Sequence, residues 1–215
     1  MDQLLNETEV RVLGSLIEKE ITTPEYYPLS LNALTNACNQ SSNRNPVVHF
    51  DEETVARAMD SLRKKNLVHV VHKDDSRVTK YRHVMAETIG LDIPEIAVMC
   101  VLMLRGPQTV GEIRTRSNRI HDFQDLEEVE TTLNALIARE PSALAVRLPR
   151  QTGQKEVRYA HLLSGEVALD NPDPAMIRAQ ADSERIAKLE EITEELRKEV
   201  EDLRNQFEQF RKQFE

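Results

Sequence analysis

Thr35-Asn36-Ala37-Cys38-Asn39-Gln40-Ser41-Ser42-Asn43-Arg44-Asn45-Pro46 is the stretch around which this 215-residue chain is organised. A shorter echo stands at Arg114-Thr115-Arg116-Ser117-Asn118-Arg119-Ile120-His121. Both copies contain Ser-Asn-Arg, and both follow a short helical pattern and precede a longer one. Other landmarks recur in the same order. Leu5-Asn6-Glu7-Thr8-Glu9-Val10 is matched by Leu91-Asp92-Ile93-Pro94-Glu95-Ile96, and Lys80-Tyr81-Arg82-His83 by Arg158-Tyr159-Ala160-His161. Ser-Asn-Arg alone is a weak match, but three matches in one order argue for a duplicated domain.

Working outward from the first copy, Asn6 with Glu9 three residues later reads as a capping box. Val10, Val12, Leu13, Leu16 and Ile17 then predict an amphipathic helix to about Glu20. Pro24 and Pro28 stop it. Ser30 is placed to cap a second helix with Leu31, Leu34 and Cys38 on one side. After the Asn/Ser/Arg loop, Asp51 caps a third helix whose buried face is Val55, Met59 and Leu62. Residues 67–72 and 78–83 read as strands around the polar tip Lys73-Asp74-Asp75-Ser76-Arg77.

The second copy repeats this order. Asp92, Pro94 and Glu95 start a helix that is apolar almost all round, so it should be more buried than its counterpart. A short helix runs from about Val110 to Arg116, and Asp125 begins a third helix with Leu126, Val129, Leu133 and Leu136 at helical spacing. Strands follow over 143–148 and 156–162. Three helices and then a hairpin is the order of a winged helix-turn-helix.

Residues 166–173 form a polar linker, and Asp173-Pro174 opens a C-terminal helix. From Ile186 a heptad emerges. Ile186, Thr193, Val200, Phe207 and Phe214 fall at one core position, and Leu189, Leu196, Leu203 and Phe210 at the other. β-branched residues opposite leucine favour a parallel two-stranded coil, so residues 186–214 are expected to form a homodimer. The bland alternative is a long helix folded back on its own domains. The expected fold is therefore mainly α with small β-hairpins (α+β). Winged-helix domains span 1–88 and 89–165, followed by the linker and a coiled-coil helix over 174–215.

Leu34-Thr35-Asn36-Ala37-Cys38-Asn39-Gln40 with Ser42-Asn43-Arg44 and Pro46 resembles a signature of the YceH-like family of bacterial proteins. Gly111-Glu112-Ile113-Arg114-Thr115-Arg116-Ser117 with Arg119, His121 and Phe123 is similar to that family's second signature. Arg158-Tyr159-Ala160-His161-Leu162-Leu163 is similar too. The resemblance covers most of residues 1–165 and implies tandem winged-helix domains, but no settled activity.

The net charge of −9 is uneven. Residues 1–88 carry 11 basic and 13 acidic side chains, residues 89–165 carry 9 and 10, and residues 166–215 carry 8 and 14. The acidity belongs mostly to the tail, so it does not by itself exclude nucleic acid from the repeats. Cys38 and Cys100 are expected to be buried apolar residues in a reducing compartment. The acidic opening Met1-Asp2-Gln3-Leu4-Leu5-Asn6-Glu7 lacks the apolar segment of a secretion signal, and no apolar run approaches a membrane span. A cytoplasmic protein without a membrane partner is expected.

A winged helix usually meets duplex DNA through its third helix, with the wing reaching phosphates. The candidate contacts are Gln40, Asn43 and Arg44 in the turn, Arg57 on the third helix, and Lys73, Arg77 and Lys80 in the wing. In the second repeat they are Arg114, Arg116, Arg119, Arg150 and Lys155. Gln40 and Asn43 either read base edges or cap the turn, and Arg44 and Arg119 have an equal claim as scaffold. Both third helices start acidic, at Asp51-Glu52-Glu53 and at Asp125 with Glu127 and Glu128, which favours the helix dipole and repels phosphate.

No metal site is expected, since His69 and His72 fall on opposite faces of a strand. With 6 glycines, the chain has neither a phosphate-cradling loop nor a nucleophile elbow. No catalytic residue, cofactor or enzymatic activity is expected. The leading reading is a homodimeric, DNA-associated protein of the transcription-regulator type. The alternative is an adaptor that docks other proteins through its winged helices and acidic tail, without DNA.

Overall fold

The computed structural model describes residues 4–71, 78–150 and 156–167. The expected coil over 174–215, most of the linker, and Lys73, Arg77 and Lys155 lie outside them. Over the described residues the chain is mixed α and β, with seven α-helices and two small antiparallel sheets.

α1 (Glu7–Thr22) starts at the anticipated capping box. Asn6 Oδ1 accepts from the Glu9 amide at 2.9 Å, and the Glu9 carboxylate accepts from the Asn6 amide at 2.8 Å. Two otherwise unpaired amides are thereby satisfied. Pro24 turns the chain into one 3-10 turn (Pro24–Tyr26), and β1 (Leu29–Ser30) follows. Ser30 caps α2 (Leu31–Cys38), accepting from the Ala33 amide at 3.3 Å, and Asp51 caps α3 (Glu52–Lys64). β2 (Val68–Val71) and β3 (Lys80–His83) form the hairpin, while β1 pairs with the free edge of β3. Tyr81 is opposite Leu29 on one side and Val70 on the other.

α4 (Met85–Ile89) ends at Gly90, whose φ of 71° is the left-handed geometry that a glycine adopts without strain. The expected boundary after residue 88 falls inside this helix. α5 (Ile93–Arg105) begins with a second capping box, Asp92 with Glu95, and residues 96–104 are all buried. α6 (Val110–Ser117) has a third, Thr109 with Glu112, which the sequence reading missed. α7 (Leu126–Ile137) is capped by Asp125, and β4 (Ala145–Arg147) pairs with β5 (Tyr159–His161).

Residues 7–83 and 93–161 each run through three helices and then two paired strands, with the 3-10 turn and β1 added in the first. In the first, Leu29 pairs with Tyr81 and the next residue, Ser30, caps an eight-residue helix. In the second, Gln108 bridges to Tyr159 and the next residue, Thr109, caps an eight-residue helix. The Ser-Asn-Arg echo does not follow this correspondence. Ser117 is the last residue of α6, where Cys38 ends α2, whereas Ser42-Asn43-Arg44 lies in the loop beyond α2.

The two halves share one hydrophobic core. Its centre is the packing of α1 on α5, which is close at Gly14: a Cβ there would stand 3.0 Å from Leu104 Cδ2. The Gly14 carbonyl instead lies 3.6 Å from the Cys100 thiol. Both cysteines are buried and free, as expected. Among the described residues no helix is long and apolar enough to cross a membrane.

Candidate nucleic-acid interface

α3 buries Val55, Ala58, Met59 and Leu62 and turns its other side to solvent. The exposed side is zwitterionic. Arg57 pairs with Glu53 at 2.9 Å, with side chains 67% and 77% exposed, and Arg63 pairs with Asp60 at 3.4 Å, again with both groups in water. Exposed pairs of this kind contribute little to stability and exchange partners readily. Lys64 is exposed beside them. Lys65 is not, because its ammonium bonds the Glu9 carboxylate at 2.7 Å and the Leu4 carbonyl at 2.8 Å.

Asp60, Arg63 and Lys64 form one wall of an open groove whose other wall is Val68, His69 and Val70 of β2. His69 is exposed and stands opposite Arg82 on β3. Lys80 is half-buried on the same strand, opposite Val71 and Ser30. At the other end of α3, hydrogen bonds from the Thr54 hydroxyl and amide hold the Asp51 carboxyl below its ordinary range. Of the predicted first-half contacts, Arg57 lies on this surface. Arg63, Lys64 and Arg82 were missing from the predicted set, although last-turn cations on a third helix were the signal for the first two.

Arg44 as a contact residue is overturned. Its side chain is 0% exposed and makes a 2.6 Å ion pair with Glu18. It also donates to the Ala37 carbonyl at 2.9 Å and to Gln40 Oε1 at 3.3 Å. A guanidinium with this many acceptors is a scaffold element: it closes the end of α2 and cannot reach a phosphate. Gln40 is its acceptor. Asn43, at φ 59°, accepts from the Arg105 guanidinium, which ties this loop to the end of α5.

The second half is different. α7 exposes Leu126, Glu127, Glu130, Thr131 and Asn134, and no lysine or arginine occurs along it. Glu128 accepts from the Gln124 amide at 2.8 Å and faces His121 Nε2 at 2.9 Å, and His121 holds its carboxyl below the usual range. Arg114 donates to the Phe123 and Gln124 carbonyls and braces that loop. Arg116 bonds Gln108 and Glu112. Burial works to raise the Glu112 carboxyl, but the Thr109 amide and the Arg158 guanidinium outweigh it and hold it low. Arg119 and Arg150 are exposed. Asn43, Arg116 and Arg119 come together at one narrow cleft with Arg105, which sequence reasoning missed.

The family model described as "Protein of unknown function, DUF480" matches residues 5–154. A "UPF0502 protein" of Geotalea daltonii is 59% identical over 196 residues, covering 89% of each chain. One of Pelobacter propionicus is 56% identical over 207 residues, covering 93% of each. One of Opitutus terrae is 56% identical over 172 residues, covering 80% of this chain and 75% of that relative.

Proposed function

We propose that this chain, which belongs to the DUF480 family of bacterial proteins, is a non-enzymatic, cytoplasmic, DNA-associated protein of the transcription-regulator type. In this reading the halves are tandem winged helices, as the YceH-like resemblance implies, and α3 meets the duplex. The supporting observation is the solvent-facing set Arg57, Arg63 and Lys64, which continues into the groove beside β2. Cations in water on a helix surface neutralise phosphates and release counterions at little cost to the fold. Lys73 and Arg77, outside the described residues, remain further candidate cations, and on this reading the coil over 186–214 pairs two copies.

α7 takes no part in phosphate binding. Its acidic face, with Leu126 48% exposed at its start, favours the second reading: an adaptor surface for a basic protein partner. The test is fluorescence anisotropy of the full-length protein with a labelled mixed-sequence duplex. Three phosphate contacts per α3, six in the dimer, weaken binding on the order of 10³-fold between about 50 and about 200 mM salt. Arg57→Glu, Arg63→Glu and Lys64→Glu together should lower affinity about 100-fold at the lower salt. Unchanged affinity would remove α3 as the contact, and no binding by the wild type at low salt would sink the DNA reading and leave the adaptor.

A further inference from the structure

The seam where α1 passes α5 holds a cavity of about 290 Å³. It lies between Val10 and Arg11 of α1, Phe50 ahead of α3, Leu102 and Met103 of α5, and His161 at the end of β5. The volume is at the small end for organic ligands, and the walls are largely apolar with a few polar groups, the usual make-up of such a site.

Arg11 gives the cavity its chemistry. It is 5% exposed. Its guanidinium donates to the Cys38 carbonyl at 3.2 Å and the Pro46 carbonyl at 2.6 Å, while Nε has no partner. Among the described residues no carboxylate stands within ion-pairing distance of it. The neighbouring buried cation, Arg44, is neutralised by Glu18, and its field adds to the burial that holds Arg11 below the ordinary guanidinium range. A buried charge without a counter-ion is among the costliest groups a fold can carry. Glu7, one turn before Arg11, also lines the cavity but is exposed at its rim. Burial keeps His161 neutral, so it brings no second positive charge to the site.

We propose that this cavity binds a small organic monoanion, a carboxylate on a compact apolar body. The carboxylate pairs with Arg11, and the body packs against Phe50, Leu102 and Met103. Such a ligand touches α1 and α5 together, and so both halves of the fold. The site is independent of the DNA reading.

The test uses full-length protein with ¹³C-labelled methionine methyls and three probes: hexanoate, its neutral amide hexanamide, and acetate. Hexanoate should shift the Met103 methyl saturably, at a concentration at least about tenfold below hexanamide, because the charge-assisted pair is lost in the amide. Acetate, which has no body, should need more than hexanoate. Arg11→Lys should keep the preference for the anion, and Glu7→Gln should tighten hexanoate several-fold by removing the rim charge. Arg11→Met, if folded, should erase the preference. Equal midpoints for hexanoate and hexanamide, or a Met103 methyl that hexanoate leaves unmoved, would overturn the proposal. Loss of duplex binding bears only on α3 and leaves this outcome untouched.

Discussion

The third helices of the two halves begin alike and end differently. Asp51 caps α3 and Asp125 caps α7, and each is followed by two glutamates in the first turn. Each buries four residues at helical spacing, Val55, Ala58, Met59 and Leu62 against Val129, Thr132, Leu133 and Leu136. Beyond the first turn α3 carries Arg57, Arg63 and Lys64, where the same register along α7 and its C-cap holds Thr131, Ile137 and Ala138. Packing constrains the inner face of both, because a lost methylene there costs stability. The outer face answers only to water and to partners, so one element order carries two surfaces of different charge. The arginines of the two Ser-Asn-Arg runs, although not at equivalent places, also differ: Arg44 is buried on Glu18 and Arg119 is in solvent. His83 and His161 both bury Nδ1 without a hydrogen-bond partner, but His83 Nε2 lies 2.6 Å from the Glu20 carboxylate.

The arginines should show the largest contrast. Arg44→Met leaves the Glu18 carboxylate without its buried partner and should cost about 3–5 kcal/mol, while Arg119→Met should stay within about 0.5 kcal/mol. Urea denaturation measures both, and equal costs would erase the distinction drawn between the two loops.

His161 comes next. Burial pushes its pKa from 6.5 down to about 4. The unfolded chain takes up this proton as pH falls through about 6.5, and the folded chain does so only near 4. Stability that is fully present above 6.5 is therefore lost across that window, by about 3 kcal/mol in all. Unfolding free energies at pH 7 and pH 4 should fall less for His161→Gln than for the wild type, by about that amount. Parallel pH profiles would contradict the burial of His161.

The smallest effect sharpens the comparison of the third helices, on the DNA reading. Placing cations on α7 through Glu127→Lys, Glu130→Arg and Asn134→Lys should raise duplex affinity about tenfold and steepen its salt dependence. Unchanged binding would mean that α7 does not face the duplex.

What was legible in the sequence was local. The caps at Asn6, Ser30, Asp51, Asp92 and Asp125 each act over three residues, and the helices follow from the spacing of their apolar faces. β1 and α4 escaped because two and five residues are too few to show a period. The Ser-Asn-Arg echo misled because identical letters fell at non-equivalent places, one at the end of a helix and one in a loop. The better markers of correspondence were Tyr81 and Tyr159, each paired beside a helix cap.

The chain by itself determined where its helices start, which faces are apolar, that α5 is the more buried of the two opening helices, and that both cysteines are internal. These are consequences of hydrogen bonds and periodicities that reach only a few residues. Only the tertiary structure decided which cations stay in water. Arg44 meets Glu18 across 26 residues of chain, and Asn43 meets Arg105 across 62. Arg11 lies buried at a seam that exists only once α1 has packed on α5. A side chain's charge is written in the sequence, but the cost of carrying it depends on distant groups that bury or neutralise it, and folding alone brings those together.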